Sequence, residues 1–334
     1  MTVRFGLLGA GRIGKVHAKA VAGNPAAKLV AVADAVEKAA KDLASAYGAQ
    51  VCTIDEIEKA DGIDAVIICT PTDTHADLTE RFARAGKAIF CEKPIDLDLG
   101  RVKTCLAIVK QEKATLMVGF NRRFDPHFAA VRKAIDDGAV GNVEMVQIVS
   151  RDPGPPPAEY ITRSGGIFKD MTIHDFDMAR FLLGEEAATV TAQASVLVDK
   201  KIGKLGDYDS ASVMISTASG RHCTISNSRR ATYGYDQRIE VHGSKGMVAA
   251  ENQRAVSIEV ANGSGYTRPP LLDFFMTRYT EAYANEIATF VEAVEKGRKP
   301  APTGEDGLIA LAMAEAALRS VKEGRTVKMS EFER

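Results

Sequence analysis

Residues 3–14 of the chain, VRFGLLGAGRIG, decide the fold of its first part. The run Val3–Leu8 is apolar and has the length of a buried strand, and three glycines spaced as GxGxxG follow it where a helical pattern begins. In that context glycines permit a tight turn, a close approach of the backbone to a pyrophosphate, and close packing of helix on strand. The helix N-terminus adds free N–H groups and a positive dipole end for phosphates. The stretch therefore predicts a dinucleotide-binding loop that includes Gly9, Gly11, Arg12, Ile13 and Gly14.

Asp34 ends the next predicted strand, 20 residues after Gly14. A carboxylate at this position can accept hydrogen bonds from the ribose hydroxyls of NAD, whereas it repels the 2′-phosphate of NADP. The residues that follow contain no arginine to bind that phosphate, and Lys38 is the nearest cation. The sequence therefore predicts NAD as the cofactor.

Short apolar runs alternate with helical patterns over the first 120 residues. The runs Lys28–Ala33, Asp64–Cys69, Ala88–Phe90 and Thr115–Val118 are of strand length and almost continuously apolar, which is typical of strands buried on both faces. This alternation predicts an α/β domain over residues 1–121, a doubly wound parallel sheet of the Rossmann type.

The pattern changes after Gly119. Apolar runs from Val143–Ser150 to Val256–Val260 are longer and only imperfectly alternating. They predict an α+β domain over residues 122–334, with an open, mostly antiparallel sheet and helices on one face. Two late segments, Tyr279–Lys296 and Asp306–Lys322, are strongly helical and could pack back on the first domain.

Composition excludes several classes of partner. Among 334 residues, 43 Lys and Arg stand against 44 Asp and Glu, and no basic cluster suits a nucleic acid or an anionic membrane. No apolar run approaches the roughly 20 residues that span a bilayer, and no signal peptide is recognised at the N-terminus. The five cysteines contain no CxxC pair. We therefore expect a cytoplasmic protein with a small-molecule ligand.

Two further loops follow predicted strands. Thr70-Pro71 comes after the strand that ends at Cys69, and Glu92-Lys93-Pro94 comes soon after Ala88–Phe90. Because open parallel sheets bind ligands at the carboxyl ends of their strands, these loops are expected to border the cofactor. His75 is expected to support its loop rather than to react, and His17 to be structural or to lie behind the site. The additional cofactor residues predicted are Thr70, Pro71, Glu92 and Lys93.

Lys93 and the pair Asp170 and His174 are the candidates for the chemistry. The Lys93 ammonium could bind a hydroxyl and stabilise developing alkoxide charge, although a single lysine is more often a surface cation. Asp170 and His174 are four residues apart, on one side of a helical turn. A histidine that titrates near neutrality can take a hydroxyl proton as hydride leaves, with a carboxylate orienting its ring. The alternatives are a capped surface helix and a metal site that includes Asp177, for which no fourth ligand stands out.

These motifs together resemble the Gfo/Idh/MocA oxidoreductases. The glycine-rich loop, the Glu92-Lys93-Pro94 motif and the segment Gly165–Asp177 carry the resemblance, which covers essentially the whole chain. The combination of Glu-Lys-Pro with a later Asp-x3-His is specific to the family. The resemblance implies that Lys93, Asp170 and His174 form the catalytic group, with His174 as general base and Lys93 binding the reacting hydroxyl.

Within the family the similarity is greatest to members that oxidise inositols, and it includes Phe120–Asp125, Ser150–Pro153 and Ala231–Arg238. It implies NAD-dependent oxidation of myo-inositol to scyllo-inosose, without a metal. A polyol site needs several fixed donors and acceptors, because sites built for hydroxyl groups discriminate strongly between substrates. Besides Lys93 and His174, the substrate residues implied are Asn121, Arg122, Asp152, Thr172 and one of Tyr233 and Tyr235.

Three alternatives stay open at this point. The substrate could be another cyclic polyol or aldose, namely scyllo-inositol, chiro-inositol or glucose, since these differ only in hydroxyl configuration. A non-catalytic NAD-binding sensor would be expected to lack the lysine or the histidine, and both are present. A metal-dependent lyase or hydrolase would lose activity with a chelator. The resemblance also implies a homotetramer formed through the open face of the second sheet.

Overall fold

A computed structural model describes residues 2–332 of the chain. The chain divides into two compact units, and each combines segments that are distant in sequence. The first unit runs to Asp125 and includes Glu281–Leu311. The second unit consists of Pro126–Thr280 and the residues from Ala312 onwards.

The first unit contains a six-stranded, fully parallel sheet, which confirms the predicted Rossmann architecture. The strand order 3-2-1-4-5-6 reverses direction at β1, as in doubly wound sheets that bind a ligand where the order switches. The strands are β1 (Val3–Leu8), β2 (Ala27–Ala33), β3 (Gln50–Val51), β4 (Ala65–Ile68), β5 (Ala88–Glu92) and β6 (Leu116–Gly119).

Helices connect these strands, and their apolar faces cover the sheet. The capping box of Thr53 and Glu56 begins one of them, and the Asp98 carboxylate caps another by accepting the N–H of Arg101. The helices are α1 (Arg12–Ala22), α2 (Glu37–Tyr47), α3 (Ile54–Lys59), α4 (His75–Arg84) and α5 (Leu99–Gln111).

The second unit contains a seven-stranded mixed sheet in the order 12-11-7-10-9-8-15. All neighbours are antiparallel except β7 and β10, so the predicted mostly antiparallel sheet is confirmed. Its strands are β7 (Val143–Arg151), β8 (Ala187–Ser195), β9 (Ser210–Thr217), β10 (His222–Ser228), β11 (Asp236–Gly243), β12 (Gly246–Ala250) and, near the C-terminus, β15 (Val327–Lys328). A separate two-stranded ribbon pairs β13 (Val260–Asn262) with β14 (Gly265–Thr267).

Burial alternates along the strands of the mixed sheet, since one face packs on helices and the other is exposed. The second unit has helices α6 (Pro126–Asp136), α7 (Ala158–Ser164), α8 (Gly166–Asp170), α9 (Thr172–Leu183), α10 (Lys200–Lys204) and α11 (Phe275–Arg278). Two long helices follow, α12 (Thr280–Lys296) and α13 (Gly304–Glu323), close to the predicted segments.

Helix α12 contributes aromatic packing to the core of the first unit. The Phe290 ring lies 6.1 Å from Phe5 and 5.8 Å from Phe90, measured between ring centroids, and all three side chains are fully buried. Such a cluster stabilises a domain strongly, because truncating one buried phenylalanine to alanine costs about 3–5 kcal/mol. None of the helices described is long and apolar enough to cross a bilayer.

Candidate active site

The glycine-rich loop follows β1 and has the geometry that its three glycines predict. Gly9 has a φ of 95°, and a Cβ there would lie 2.5 Å from the carbonyl oxygen of Cys69. A Cβ at Gly14 would overlap the carbonyl oxygen of Gly9, so both positions require glycine for packing. Apart from its immediate neighbours in sequence and the helix backbone, a Cβ at Gly11 would meet no atom of residues 2–332 within 4 Å. The space above Gly11 is therefore open to a ligand.

The N-terminus of α1 faces this open space. Gly11 is the N-cap residue and supplies no side-chain cap, and Arg12, Ile13 and Gly14 form the first turn. The backbone N–H groups of a first helical turn have no partner within the helix. They and the helix dipole suit a pyrophosphate.

Asp34 follows β2 directly, and the backbone fixes its carboxylate. Oδ2 accepts the N–H of Ala10 at 2.6 Å, and Oδ1 accepts the N–H of Val36 at 2.7 Å. Each carboxylate oxygen can accept more than one hydrogen bond. Asp34 is therefore held beside the glycine-rich loop with acceptor capacity left for ribose hydroxyls.

The loop after β4 contains Thr70 and Pro71. The hydroxyls of Thr70 and Thr74 are 2.6 Å apart, and the Thr74 hydroxyl donates to the Pro71 carbonyl oxygen at 2.7 Å. His75 is buried below this loop, and its Nε2 lies 2.7 Å from the Thr70 carbonyl oxygen. His75 thus supports the loop, as expected from the sequence.

Glu92 and Lys93 lie at the end of β5, and the peptide bond between Lys93 and Pro94 is cis. The Glu92 carboxylate is buried and contacts Nε2 of His17 at 2.6 Å. The predicted cofactor residues thus lie at the carboxyl ends of β2, β1, β4 and β5, which are consecutive in the sheet. The fold of the first unit thus brings the predicted cofactor residues together along the carboxyl ends of the parallel strands, which we call the cofactor edge.

Asp170 and His174 lie in the second unit, on either side of a break at Met171 between α8 and α9. The Tyr160 hydroxyl donates to Oδ1 of Asp170 at 2.7 Å. The guanidinium of Arg229, only 1% exposed, lies 3.4 Å from Oδ2 of Asp170 and 3.6 Å from Oδ2 of Asp207. The buried guanidinium therefore lies between two carboxylates and joins Asp170 to Asp207.

Thr172 is fully buried in the first turn of α9. Its hydroxyl donates to Oδ1 of Asn227 at 2.7 Å, and Nδ2 of Asn227 donates to Asp175 at 2.8 Å. This chain of hydrogen bonds ties the start of α9 to β10. Arg229, Tyr160 and Asn227 carry no motif in the sequence, and sequence reasoning missed all three.

The other predicted substrate residues occupy different environments. Asn121 and Arg122 are buried in a single 3-10 turn after β6, and Asp152 follows β7 with its N–H donating to the Ser228 carbonyl oxygen. Tyr235 is buried, with its ring centroid 6.0 Å from those of Phe274 and Tyr279.

Tyr233 is 50% exposed, and its hydroxyl donates to Asp236 at 2.6 Å and accepts from Arg151 at 3.1 Å. Partial burial, and then the hydrogen bond to Asp236, raise the pKa of Tyr233. Across residues 2–332, no group of three or more His, Cys, Asp and Glu side chains is placed to hold a metal ion.

Comparisons with known proteins cover both units. Residues 3–120 match the model of an oxidoreductase family with an NAD-binding Rossmann fold, Gfo/Idh/MocA, and residues 132–329 match the C-terminal alpha/beta domain of the same family. The chain is 74% identical to the inositol 2-dehydrogenase of Rhizobium meliloti (strain 1021) over 330 residues, which cover 99% of this chain and 100% of that protein.

Two solved structures are similar over nearly their full length. A myo-inositol dehydrogenase from Corynebacterium glutamicum aligns with a TM-score of 0.95 at 44% identity, covering 98% of this chain and 99% of that one. A scyllo-inositol dehydrogenase from Lactobacillus casei, solved with NAD(H) and scyllo-inositol, aligns with a TM-score of 0.92 at 28% identity, covering 99% of this chain and 100% of that one.

Proposed function

Because the chain belongs to the Gfo/Idh/MocA family of NAD-binding oxidoreductases, we propose that it oxidises myo-inositol to scyllo-inosose. The observation that carries this proposal is the 74% identity to an inositol 2-dehydrogenase over the whole chain. The open space above Gly11, the uncapped start of α1 and the fixed Asp34 carboxylate all suit NAD. When bound, NAD would supply the nicotinamide ring as hydride acceptor for this oxidation.

His174 is the general base in this proposal, and it takes the proton of the reacting hydroxyl. Asp170 orients the His174 ring and stabilises the imidazolium that forms, a role that requires an ionised carboxylate. The Arg229 guanidinium lies 3.4 Å from Oδ2 of Asp170 and helps to hold this carboxylate in place. Lys93 binds the reacting hydroxyl and stabilises the negative charge that develops on its oxygen.

The remaining ring hydroxyls are assigned to polar side chains that the resemblance implies. Asn121, Arg122, Asp152 and Thr172 supply donors and acceptors, and one of Tyr233 and Tyr235 completes the site. The Lactobacillus casei structure contains scyllo-inositol, and this favours scyllo-inositol as a second substrate of the same site. Lys93, Asp170 and His174 are all present, which argues against a non-catalytic sensor.

A homotetramer belongs to the same proposal. The open face of the mixed sheet of the second unit is the surface proposed for association, and Met145, Met214 and Met247 are exposed side chains on three of its strands. Light scattering at micromolar concentration should give about four times the mass of one chain. A monomer would contradict this part of the proposal. The cytoplasmic location stays a prediction from the sequence.

The proposal is tested by NADH formation at 340 nm with the purified protein. Myo-inositol, scyllo-inositol, chiro-inositol and glucose are each supplied with NAD and then with NADP, with and without a chelator. We expect the highest kcat/KM for myo-inositol with NAD and no effect of the chelator. NAD binding without turnover of any of the four would support the sensor instead.

A further inference from the structure

Two buried histidines hold the residues on either side of Lys93. His17 of α1 is 0% exposed and contacts the Glu92 carboxylate, whereas His75 of α4 is 2% exposed and contacts the Pro94 carbonyl oxygen. All of these residues belong to the first unit. Neither histidine has a role in the chemistry described above.

His17 acts through the side chain of Glu92. Its Nε2 lies 2.6 Å from Oε1 of Glu92, and Oε2 of the same carboxylate accepts the backbone N–H of Lys93 at 3.3 Å. Gly119 lies opposite on β6, where a Cβ would come within 3.2 Å of the carboxylate. The Glu92 carboxylate is therefore confined between a histidine, a glycine and the backbone of Lys93.

The hydrogen bonds of His17 indicate which ring nitrogen carries the proton. Nδ1 is buried and has no hydrogen-bond partner among residues 2–332. A buried N–H without a partner is more costly than a buried acceptor of a neutral ring, so the proton belongs on Nε2. His17 thus donates through Nε2 alone.

His75 lies on the other side of Lys93, and each of its ring nitrogens faces a carbonyl oxygen. Nδ1 lies 2.8 Å from the Pro94 carbonyl oxygen, and Nε2 lies 2.7 Å from the Thr70 carbonyl oxygen. Only Nδ1 therefore reaches the turn that contains Lys93. Nε2 connects that turn to the loop after β4.

We propose that His17 and His75 are positioning residues for Lys93. They fix the turn Glu92-Lys93-Pro94, which presents the Lys93 ammonium, relative to the glycine-rich loop and the loop after β4, the two loops that border the cofactor. The inference rests on the proposed role of Lys93 in binding the reacting hydroxyl. Its physical basis is that a displacement of about 1 Å in a reacting group can cost roughly a hundredfold in rate. Neither ring touches the substrate in this account.

Asparagine and glutamine variants separate the two nitrogens of each ring. Asparagine places an amide nitrogen near the position of Nδ1, and glutamine places one near Nε2. His17→Gln and His75→Asn therefore keep the contact to the turn, whereas His17→Asn and His75→Gln lose it. If the two histidines only filled space, the volume of the new side chain would decide the effect. The same residue, asparagine or glutamine, would then be better tolerated at both positions.

The measured quantity is kcat for myo-inositol at saturating NAD, per NAD-binding site determined by titration. We expect His17→Gln and His75→Asn to stay within about threefold of the wild type, and His17→Asn and His75→Gln to lose about tenfold to a hundredfold, with the NAD Kd of all four changed by less than about threefold. Counting binding sites removes the contribution of unfolded protein.

Two outcomes would overturn the inference. One is the same preference, for asparagine or for glutamine, at both positions, and the other is a loss of kcat no greater than the accompanying loss of NAD affinity. Lys93→Ala is measured in parallel. If Lys93→Ala retains wild-type turnover, the proposed role of Lys93 fails; if it is inactive while all four histidine variants are active, only the positioning role fails.

Discussion

The cofactor edge of the first unit and the Asp170 segment of the second unit are built differently. At the cofactor edge the backbone positions the site. Two backbone N–H groups fix Asp34. Gly9 and Gly14 cannot carry a side chain, because carbonyl oxygens lie too close to the position that a Cβ would occupy. In the second unit, side chains outside the motif fix Asp170, namely Tyr160, ten residues away, and Arg229, 59 residues away. The residues that fix the first site belong to its local motif, whereas the residues that fix Asp170 lie outside the Asp170-x3-His174 motif.

The largest effect is expected from His174→Ala in the second unit. Removing a general base lowers kcat by about 10²–10⁴-fold and should abolish the acid limb of the pH–rate profile. NAD affinity, measured by calorimetry, should remain near that of the wild type because the cofactor motifs belong to the other unit. Retained turnover would remove His174 from the mechanism.

Arg229→Leu tests whether side chains maintain the second site. The change leaves the carboxylates of Asp170 and Asp207 partly buried without the guanidinium, and breaking a buried ion pair costs about 3–5 kcal/mol in the free energy of unfolding. Urea denaturation measures the loss. The matched control is Arg230→Leu at the exposed neighbouring position, which should change the same free energy by less than about 0.5 kcal/mol. Equal losses in both variants would contradict the buried network.

Gly14→Ala and Gly11→Ala test the backbone site in the same way. A Cβ at position 14 overlaps the Gly9 carbonyl oxygen, so we expect a loss of about 1–3 kcal/mol in stability together with weaker NAD binding. A Cβ at position 11 enters open space, so Gly11→Ala should unfold like the wild type and still bind NAD less tightly. Unchanged NAD affinity in Gly11→Ala would show that the pyrophosphate lies elsewhere.

The smallest effect is expected from the double variant Asp34→Ser with Ala35→Arg. It removes the carboxylate that repels a 2′-phosphate and adds a cation to bind it. The ratio of kcat/KM for NAD to that for NADP should fall by about tenfold or more. The variant also loses the contacts of Asp34 to Ala10 and Val36, so its stability is measured by urea denaturation as a control. An unchanged ratio would mean that another residue recognises the ribose.

The same comparison explains what the sequence could predict. The parallel sheet follows from short apolar runs between helical patterns, and the loop from Gly9 to Gly14 follows from glycine spacing. The prediction of a strand over Val256–Val260 was wrong for most of that run, since a strand begins only at Val260. Val256 and Ile258 are exposed there, so their β-propensity is not matched by burial against a neighbouring strand.

The residues that support Asp170 could not be predicted from the sequence, because their contacts form only in the folded chain. Arg229 lies 59 residues from its partner Asp170, and its burial depends on how α8, β10 and the loop with Asp207 fold together. Spacing along the chain contains no information on such a contact. Position and spacing made Lys93, Asp170 and His174 candidates among several alternatives, the family resemblance supplied their roles, and those roles stay predictions.

The central claim is that hydride passes from one ring carbon of myo-inositol to NAD. Myo-inositol deuterated at C2 and unlabelled NAD are incubated with the enzyme, and both products are analysed by mass spectrometry. The account predicts deuterium at C4 of the reduced nicotinamide and a ketone that has lost the label. Reduced cofactor without deuterium would contradict oxidation at that carbon, and the absence of any ketone product would contradict the proposed function itself.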